Sequence, residues 1–276
     1  MYDYKLGIYE KAMPDDMPLC DKILCAKELG YDYMELCIDL HPERAARLDW
    51  TKAERAALMD FMSRNGVSFV TISMSVLRRS PMGVSDEYAR EFLSTLEKGL
   101  QLANDLGIKI MLFNGYDIYD GPSTPETRAR FEKYLPEAAR LAEKYGVVIA
   151  MENAEKEFMD SVEKAAYYVN LVGSPNLRIY GDVGNTANAM GGDPDKSVAD
   201  IKKGAGLIAA MHLKDTLPGD WRLTPYGKGH VDFTKSVGAC KELGIRVYTA
   251  ELFLRPDIAD FKAEMVRVRD FLRSYF

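Results

Sequence analysis

One local phrase recurs five times in the chain: a stretch with helical period stops at a glycine, and an apolar run begins at once. Glu28-Leu29-Gly30-Tyr31, Arg64-Asn65-Gly66-Val67, Asp105-Leu106-Gly107-Ile108, Lys144-Tyr145-Gly146-Val147 and Glu242-Leu243-Gly244-Ile245 share this grammar. A helix C-terminus favours a left-handed residue without a Cβ, so each glycine reads as a helix stop followed directly by a strand. Gly173 and Gly206 mark two further junctions. Upstream of the stops the apolar residues keep helical spacing. Leu93, Leu96, Leu100 and Ala103 line one face, as do Phe131, Leu135, Ala138, Ala142 and Tyr145. Thr124-Pro125-Glu126 and Asp193-Pro194-Asp195 place a capping residue before a first-turn proline, whereas Pro136 falls inside a helix and predicts a kink.

Counting these units gives eight strand-then-helix pairs. Strands are expected to begin near Leu6, Tyr33, Val67, Ile108, Val147, Leu177, Leu207 and Arg246, with helices near 16–29, 51–65, 86–106, 124–145, 159–171, 194–203, 232–243 and 257–274. Eight such units in about 250 residues is the size of a (β/α)8 TIM barrel of the α/β class. A doubly wound open sheet is the competing arrangement, but no GxGxxG or Walker loop opens a helix. No linker or shift in composition divides the chain, so a single catalytic domain is expected over residues 1–276.

Four of the expected strands end on a side chain able to bind a metal. Glu152, Asp182, His212 and Glu251 close the apolar runs 147–151, 177–181, 207–211 and 247–250, at intervals of 30, 30 and 39 residues. An interval of about 30 residues suits one strand plus one crossover helix. In a barrel the site lies where strands end, so the four side chains would converge there. Three carboxylates gathered in a medium of low dielectric repel strongly, and a divalent cation resolves the repulsion. Two glutamates, an aspartate and a neutral imidazole suit Mn, Mg, Co or Zn alike. Other polar residues expected at this end are Glu10, Glu35, Asp39, Ser73, Asn114, Asn153, Asn185 and Lys214. The longest loop, from about Lys214 to His230, holds Pro218, Gly219, Trp221, Pro225, Gly227 and Gly229, which suits a segment folding over a small ligand.

Such a centre fits ketose chemistry. A cation holding a C2 carbonyl and a C3 hydroxyl stabilises the enediolate left when the C3 proton departs. Glu152 and Glu251 are separated by two other ligand strands and can flank that carbon, one removing a proton and the other returning one to the opposite face. Deprotonation at C1 with the same parts gives an aldose–ketose isomerase. The constellation therefore fixes the reaction class more closely than the product.

The remaining composition excludes more than it proposes. The formal charge is −6 and the pI about 5.3, which does not suit a nucleic-acid surface. No apolar stretch approaches the roughly 18 residues of a membrane helix, and the first residues do not read as a signal peptide, so cytoplasmic residence is expected. Cys20, Cys25, Cys37 and Cys240 form no CxxC pair and read as buried free thiols. His41 before Pro42 reads as a turn residue, His230 as an exposed loop residue, and Trp221 as part of a lid or an intersubunit contact.

Several longer motifs carry a resemblance. Gly7-Ile8-Tyr9-Glu10-Lys11-Ala12-Met13-Pro14 is the most specific, followed by Arg47-Leu48-Asp49-Trp50, Arg78-Arg79 with Pro81-Met82-Gly83, and Gly115-Tyr116-Asp117-Ile118-Tyr119. Ala150-Met151-Glu152, Gly181-Asp182-Val183-Gly184-Asn185, His212-Leu213-Lys214-Asp215-Thr216, Pro225-Tyr226-Gly227 and Val231-Asp232-Phe233, with Gly229 and Glu251, complete the set. Through these the chain resembles the L-ribulose/L-xylulose 5-phosphate 3-epimerases of the xylose-isomerase-like barrels. The resemblance implies that Glu152, Asp182, His212 and Glu251 bind one divalent metal ion, with Glu152 and Glu251 catalytic as proton donor and acceptor. It further implies a ketopentose 5-phosphate substrate and a homodimer. Lys11, Arg78, Asn185 and Lys214 are the expected substrate-binding residues, with Lys11 and Arg78 preferred for phosphate because a guanidinium or ammonium pairs well with that anion. Two positions depart from the family pattern: Leu77 replaces a histidine before the paired arginines, and Lys228 replaces a glutamate in the Pro-x-Gly loop. Both bear on substrate handling rather than on the metal quartet. The alternatives are an isomerase or epimerase of another keto sugar or sugar phosphate, such as a hexulose 6-phosphate isomerase, and a metal-dependent abasic-site endonuclease. The second wants a histidine-rich site, and the chain has only three histidines. A sugar-binding relic without activity would have lost part of the quartet.

Overall fold

In the computed structural model, which describes residues 2–276, eight parallel strands close into a barrel in chain order. They are β1 (Lys5–Tyr9), β2 (Tyr33–Cys37), β3 (Thr71–Ser73), β4 (Ile110–Asn114), β5 (Val148–Glu152), β6 (Leu177–Asp182), β7 (Ile208–Leu213) and β8 (Val247–Ala250). The ring closes where Lys5 to Ile8 of β1 pair with Val247 to Ala250 of β8. The expected open-sheet competitor is thereby excluded, and the expected (β/α)8 barrel stands.

Parity along each strand decides what faces inward. Leu112, Ala150, Tyr180 and Ala210 form a small buried cluster of their own, separate from the large core that contains Ile149, Met151, Ile179 and Met211. The first set fills the barrel and the second packs against the helices, as the two-residue period of a strand requires. Two residues beyond Ala150, Tyr180 and Ala210 come Glu152, Asp182 and His212, so the same period carries all three to the inner face at the top.

One irregularity makes this work on β7. Pairing of β6 with β7 runs Ile179↔Ile208, then skips a residue to Tyr180↔Ala210, and so reaches Asp182↔His212. Without that bulge Asp182 would face Met211. A bulge re-aims side chains by adding one unpaired residue, and here it sets the histidine beside the aspartate.

The outer helices follow the glycine grammar. The helix Lys52–Asn65 begins in a Thr51–Glu54 capping box and ends at Gly66, whose φ of 58° is left-handed. Val67 donates its N–H to the Met62 carbonyl and so closes this helix end. β3 begins at Thr71 rather than near Val67. Pro125–Tyr145 runs on through Pro136. The segments Pro42–Ala46 and Val183–Ala189 are helices that the spacing did not announce. His41 is the N-cap residue of the first of these, consistent with a turn position. All four cysteines are free, although Cys20 is only half-buried where full burial was expected.

Candidate active site

The quartet converges. One ligand atom from each of Glu152, Asp182, His212 and Glu251 lies within 4.8 Å of the others, and all four residues are buried. Glu152 and Asp182 end their strands, His212 is the penultimate residue of β7, and Glu251 follows β8 directly. The His212 Nδ1 stands 3.1 Å from Glu152 Oε1, 3.6 Å from Glu251 Oε2 and 3.8 Å from Asp182 Oδ2. Asp182 also caps the helix Val183–Ala189, its Oδ1 accepting the Asn185 N–H at 2.8 Å. This use of one oxygen aims the other inward. Oδ2 is buried and receives no hydrogen bond, although Lys214 Nζ stands 3.0 Å away. An oxygen left so, among two more carboxylates and an imidazole nitrogen, is the donor set a divalent cation takes.

Charge within the site is unevenly shared. Burial raises Asp182 to about 7, against the pull of Lys214 and with a further push from Glu251 and Glu152. Burial raises Glu152 too. Burial also opposes ionisation of Glu251, but the Lys214 ammonium at 2.7 Å and the His212 ring hold its carboxyl down at about 2. For His212, burial disfavours the charged ring, yet Glu35 and Glu251 push its pKa well above the usual histidine range.

The four expected substrate-binding residues do not stand together. Lys11 and Arg78 line a pocket of about 70 Å³ over Glu152, His212 and Glu251, with Tyr9, Ser73, Ser75, Asn114, Arg222 and Phe253. Lys11 is held by Asp39 at 2.6 Å, and Asp39 is held in turn by Arg44 at 2.8 Å. The Arg78 guanidinium lies 5.5 Å from the Tyr119 ring, and its buried Nε has no partner. Lys214 instead bridges Asp182 and Glu251 from within the quartet. Asn185 packs behind Asp182 and donates its amide to the Asn153 carbonyl at 2.8 Å. Of the other polar positions, Asn114 donates to Glu152 Oε2, while Glu10 is consumed by Arg47 and Lys22. Arg222 reaches the pocket from the long loop, where no periodic signal could single it out. The loop itself is tied down: Asp215 accepts the N–H groups of Gly227, Gly229 and Val231. His230 is half-buried rather than exposed, with Nε2 3.3 Å from Thr216 Oγ1.

A family model described as "Xylose isomerase-like TIM barrel" matches residues 24–275. The L-ribulose-5-phosphate 3-epimerase UlaE of Shigella sonnei (strain Ss046) is 35% identical over 271 residues, which is 98% of this chain and 94% of that protein. Its counterpart in Escherichia coli O157:H7 is 34% identical over the same shares. The chain belongs to the L-ribulose-5-phosphate 3-epimerase family. It is accordingly an enzyme of the epimerase class. Two solved structures share the fold of this family member. A D-psicose 3-epimerase from Clostridium cellulolyticum H10, solved with D-tagatose, superposes with a TM-score of 0.81 at 15% identity, covering 98% of this chain and 99% of that one. The IOLI protein, solved with a bound zinc atom, gives 0.79 at 21% identity, covering 99% of each chain. No helix among the described residues is long and apolar enough to cross a membrane.

Within this epimerase-family chain the two departures lie apart. Leu77 is buried in the apolar core, and Lys228 is exposed on the long loop. Lys214 gives a stability prediction. In chelator at pH 8, Lys214→Met is expected to destabilise the protein by about 3–5 kcal/mol, because it removes the ammonium paired with buried Asp182 and Glu251. At pH 5, where Asp182 carries a proton, the loss shrinks. Urea unfolding at the two pH values measures the difference.

Proposed function

We propose that this protein inverts C3 of a ketopentose 5-phosphate, interconverting L-ribulose 5-phosphate and L-xylulose 5-phosphate, with one divalent metal ion held by Glu152, Asp182, His212 and Glu251. The observation that carries this reading is the four-ligand cluster at the mouth of a closed barrel, with the Asp182 Oδ2, which receives no hydrogen bond, inside it. The names of the relatives support the substrate. When bound, the cation would draw charge from the C2 carbonyl and C3 hydroxyl and so stabilise the enediolate. The chain's own residues do the rest. Glu152 ends β5 and Glu251 follows β8, with β6 and β7 between them, so the two carboxylates approach C3 from different sides. One takes the C3 proton and the other supplies a proton to the opposite face. Because the two epimers present that hydrogen on opposite faces, the glutamates exchange roles when the reaction runs backwards. Asn114, donating to Glu152, keeps that carboxylate facing the pocket.

The pocket is small beside the roughly 300–1,000 Å³ of ordinary ligand clefts, so it suits the reacting end of the sugar. The phosphate then falls towards the mouth, where Lys11, Arg78 and Arg222 supply positive charge. Arg78→Ala is expected to raise KM for the phosphorylated ketose about tenfold or more, since a charge-assisted hydrogen bond is lost, while leaving KM for the unphosphorylated sugar unchanged. The homodimer belongs to the same reading and is checked by sedimentation equilibrium.

The deciding experiment runs the reaction in D2O and follows label at each carbon by NMR. Deuterium entering C3 with inversion is the expected result. Label confined to C1 would reassign the enzyme as an isomerase, and no exchange with any ketose 5-phosphate would remove the proposal.

A further inference from the structure

Glu35 stands in the middle of β2, with 0% of its surface exposed, in an otherwise apolar strand. A carboxylate so placed is expensive, and an apolar residue would fill the barrel more cheaply. Among the described residues its ion-pair partner is His212 alone, through Oε1 and the ring Nε2 at 2.8 Å. Its other oxygen is fixed separately: Oε2 accepts the Thr71 hydroxyl at 2.6 Å and the Tyr180 hydroxyl at 2.7 Å. Tyr180 is braced in turn by Thr249, 2.9 Å away, and Thr249 by the Tyr33 hydroxyl at 2.8 Å. Strands β2, β3, β6 and β8 thus converge on one carboxylate whose free oxygen touches the ring on β7.

We infer that Glu35 is a positioning residue that keeps a proton on His212 Nε2, so that in the metal-bound protein the Nδ1 lone pair is directed at the point shared by Glu152, Asp182 and Glu251. A carboxylate accepting the far N–H of a ligating histidine fixes the ring and raises its donor strength. This inference rests on the metal-binding reading of the quartet. It adds that affinity for the ion is set partly by a residue that never touches it.

The test uses zinc and the whole protein. Glu35→Gln keeps the shape of the side chain but removes its charge. It is expected to weaken zinc binding by about 10–100-fold in competition with a chromophoric chelator, at a pH where circular dichroism shows the metal-free form folded. Wild-type affinity in a folded variant would overturn the inference. Wild-type protein that binds no zinc at all would instead remove the quartet reading on which it stands. A second measurement needs no variant. In the ¹⁵N spectrum of zinc-bound wild-type protein, with His41→Gln and His230→Gln samples assigning the signals, His212 should show a protonated Nε2 and a metal-bound Nδ1. The opposite pattern would overturn the inference even if Glu35→Gln failed to fold.

Discussion

Glu152→Gln and Glu251→Gln are each expected to lower turnover by about 10²–10⁴-fold, the span general acid–base catalysis contributes, and to do so in complementary ways. Glutamine has the shape of glutamate and can still offer an oxygen to a cation, but it cannot accept a proton from carbon. In either variant one carboxylate survives. It faces the C3 hydrogen of one epimer only, so that epimer should still exchange deuterium from D2O at C3 while failing to invert. The other epimer should neither exchange nor invert. Swapping the substituted glutamate should swap the epimer that exchanges. Proton-by-proton NMR of both sugars with both variants, at saturating metal and with bound metal checked by elemental analysis, reads all four cases. If both variants exchanged the same epimer, a single base would serve both directions, and the two-glutamate scheme would fall.

The convergence of those glutamates was legible from the chain because each closes an apolar run, and period-2 alternation fixes which face a strand-end residue takes. Asp182 and His212 were legible for the same reason, but not their pairing. That depends on the β7 bulge, and nothing in Ile208-Ala209-Ala210-Met211 marks which alanine is the extra one. Small side chains are what permit it. Glu35 was read only as one of the polar residues at the strand ends; it stands in the middle of β2, and its role needed four other strands to be placed around it. Lys214 and Asn185 were assigned to substrate from their position after a strand. The structure sets Lys214 between two carboxylates and turns Asn185 towards the backbone of Asn153. Both outcomes follow from the field of the quartet and the cap on Val183–Ala189, a helix whose Gly184, Asn185 and Asn188 hide it from propensity. Arg222 was invisible because a loop held by the Asp215 carboxylate has tertiary rather than periodic order.

Removing metal is expected to abolish turnover, and restoring it should show a pH dependence fixed by the site's own protons. In the metal-free protein His212 is held protonated by the carboxylates around it, and Asp182 is raised to about 7. A cation needs the Nδ1 lone pair and the ionised Asp182, so binding must expel protons. One proton comes from His212, whose pKa its carboxylate neighbours raise, and below about 7 a second comes from Asp182. Each displaced proton costs about 1.4 kcal/mol per pH unit, a factor of ten in affinity, so the dependence should steepen as pH falls through 7. Calorimetry in buffers of different ionisation enthalpy counts these protons directly. Stability must move the opposite way in chelator. Asp182 is raised above its unfolded value of about 3.9, so its contribution is complete below that pH and is lost as pH climbs through about 7. Glu251 is depressed, so its contribution holds above about 4.3 and disappears only as pH falls through about 2. Metal-free protein should therefore melt higher at pH 5 than at pH 8 as far as this site decides, and added zinc or manganese should raise Tm more at pH 8. A metal-induced shift that was larger at pH 5, or binding that released no protons, would mean that the cation does not sit among Asp182, His212 and the two glutamates.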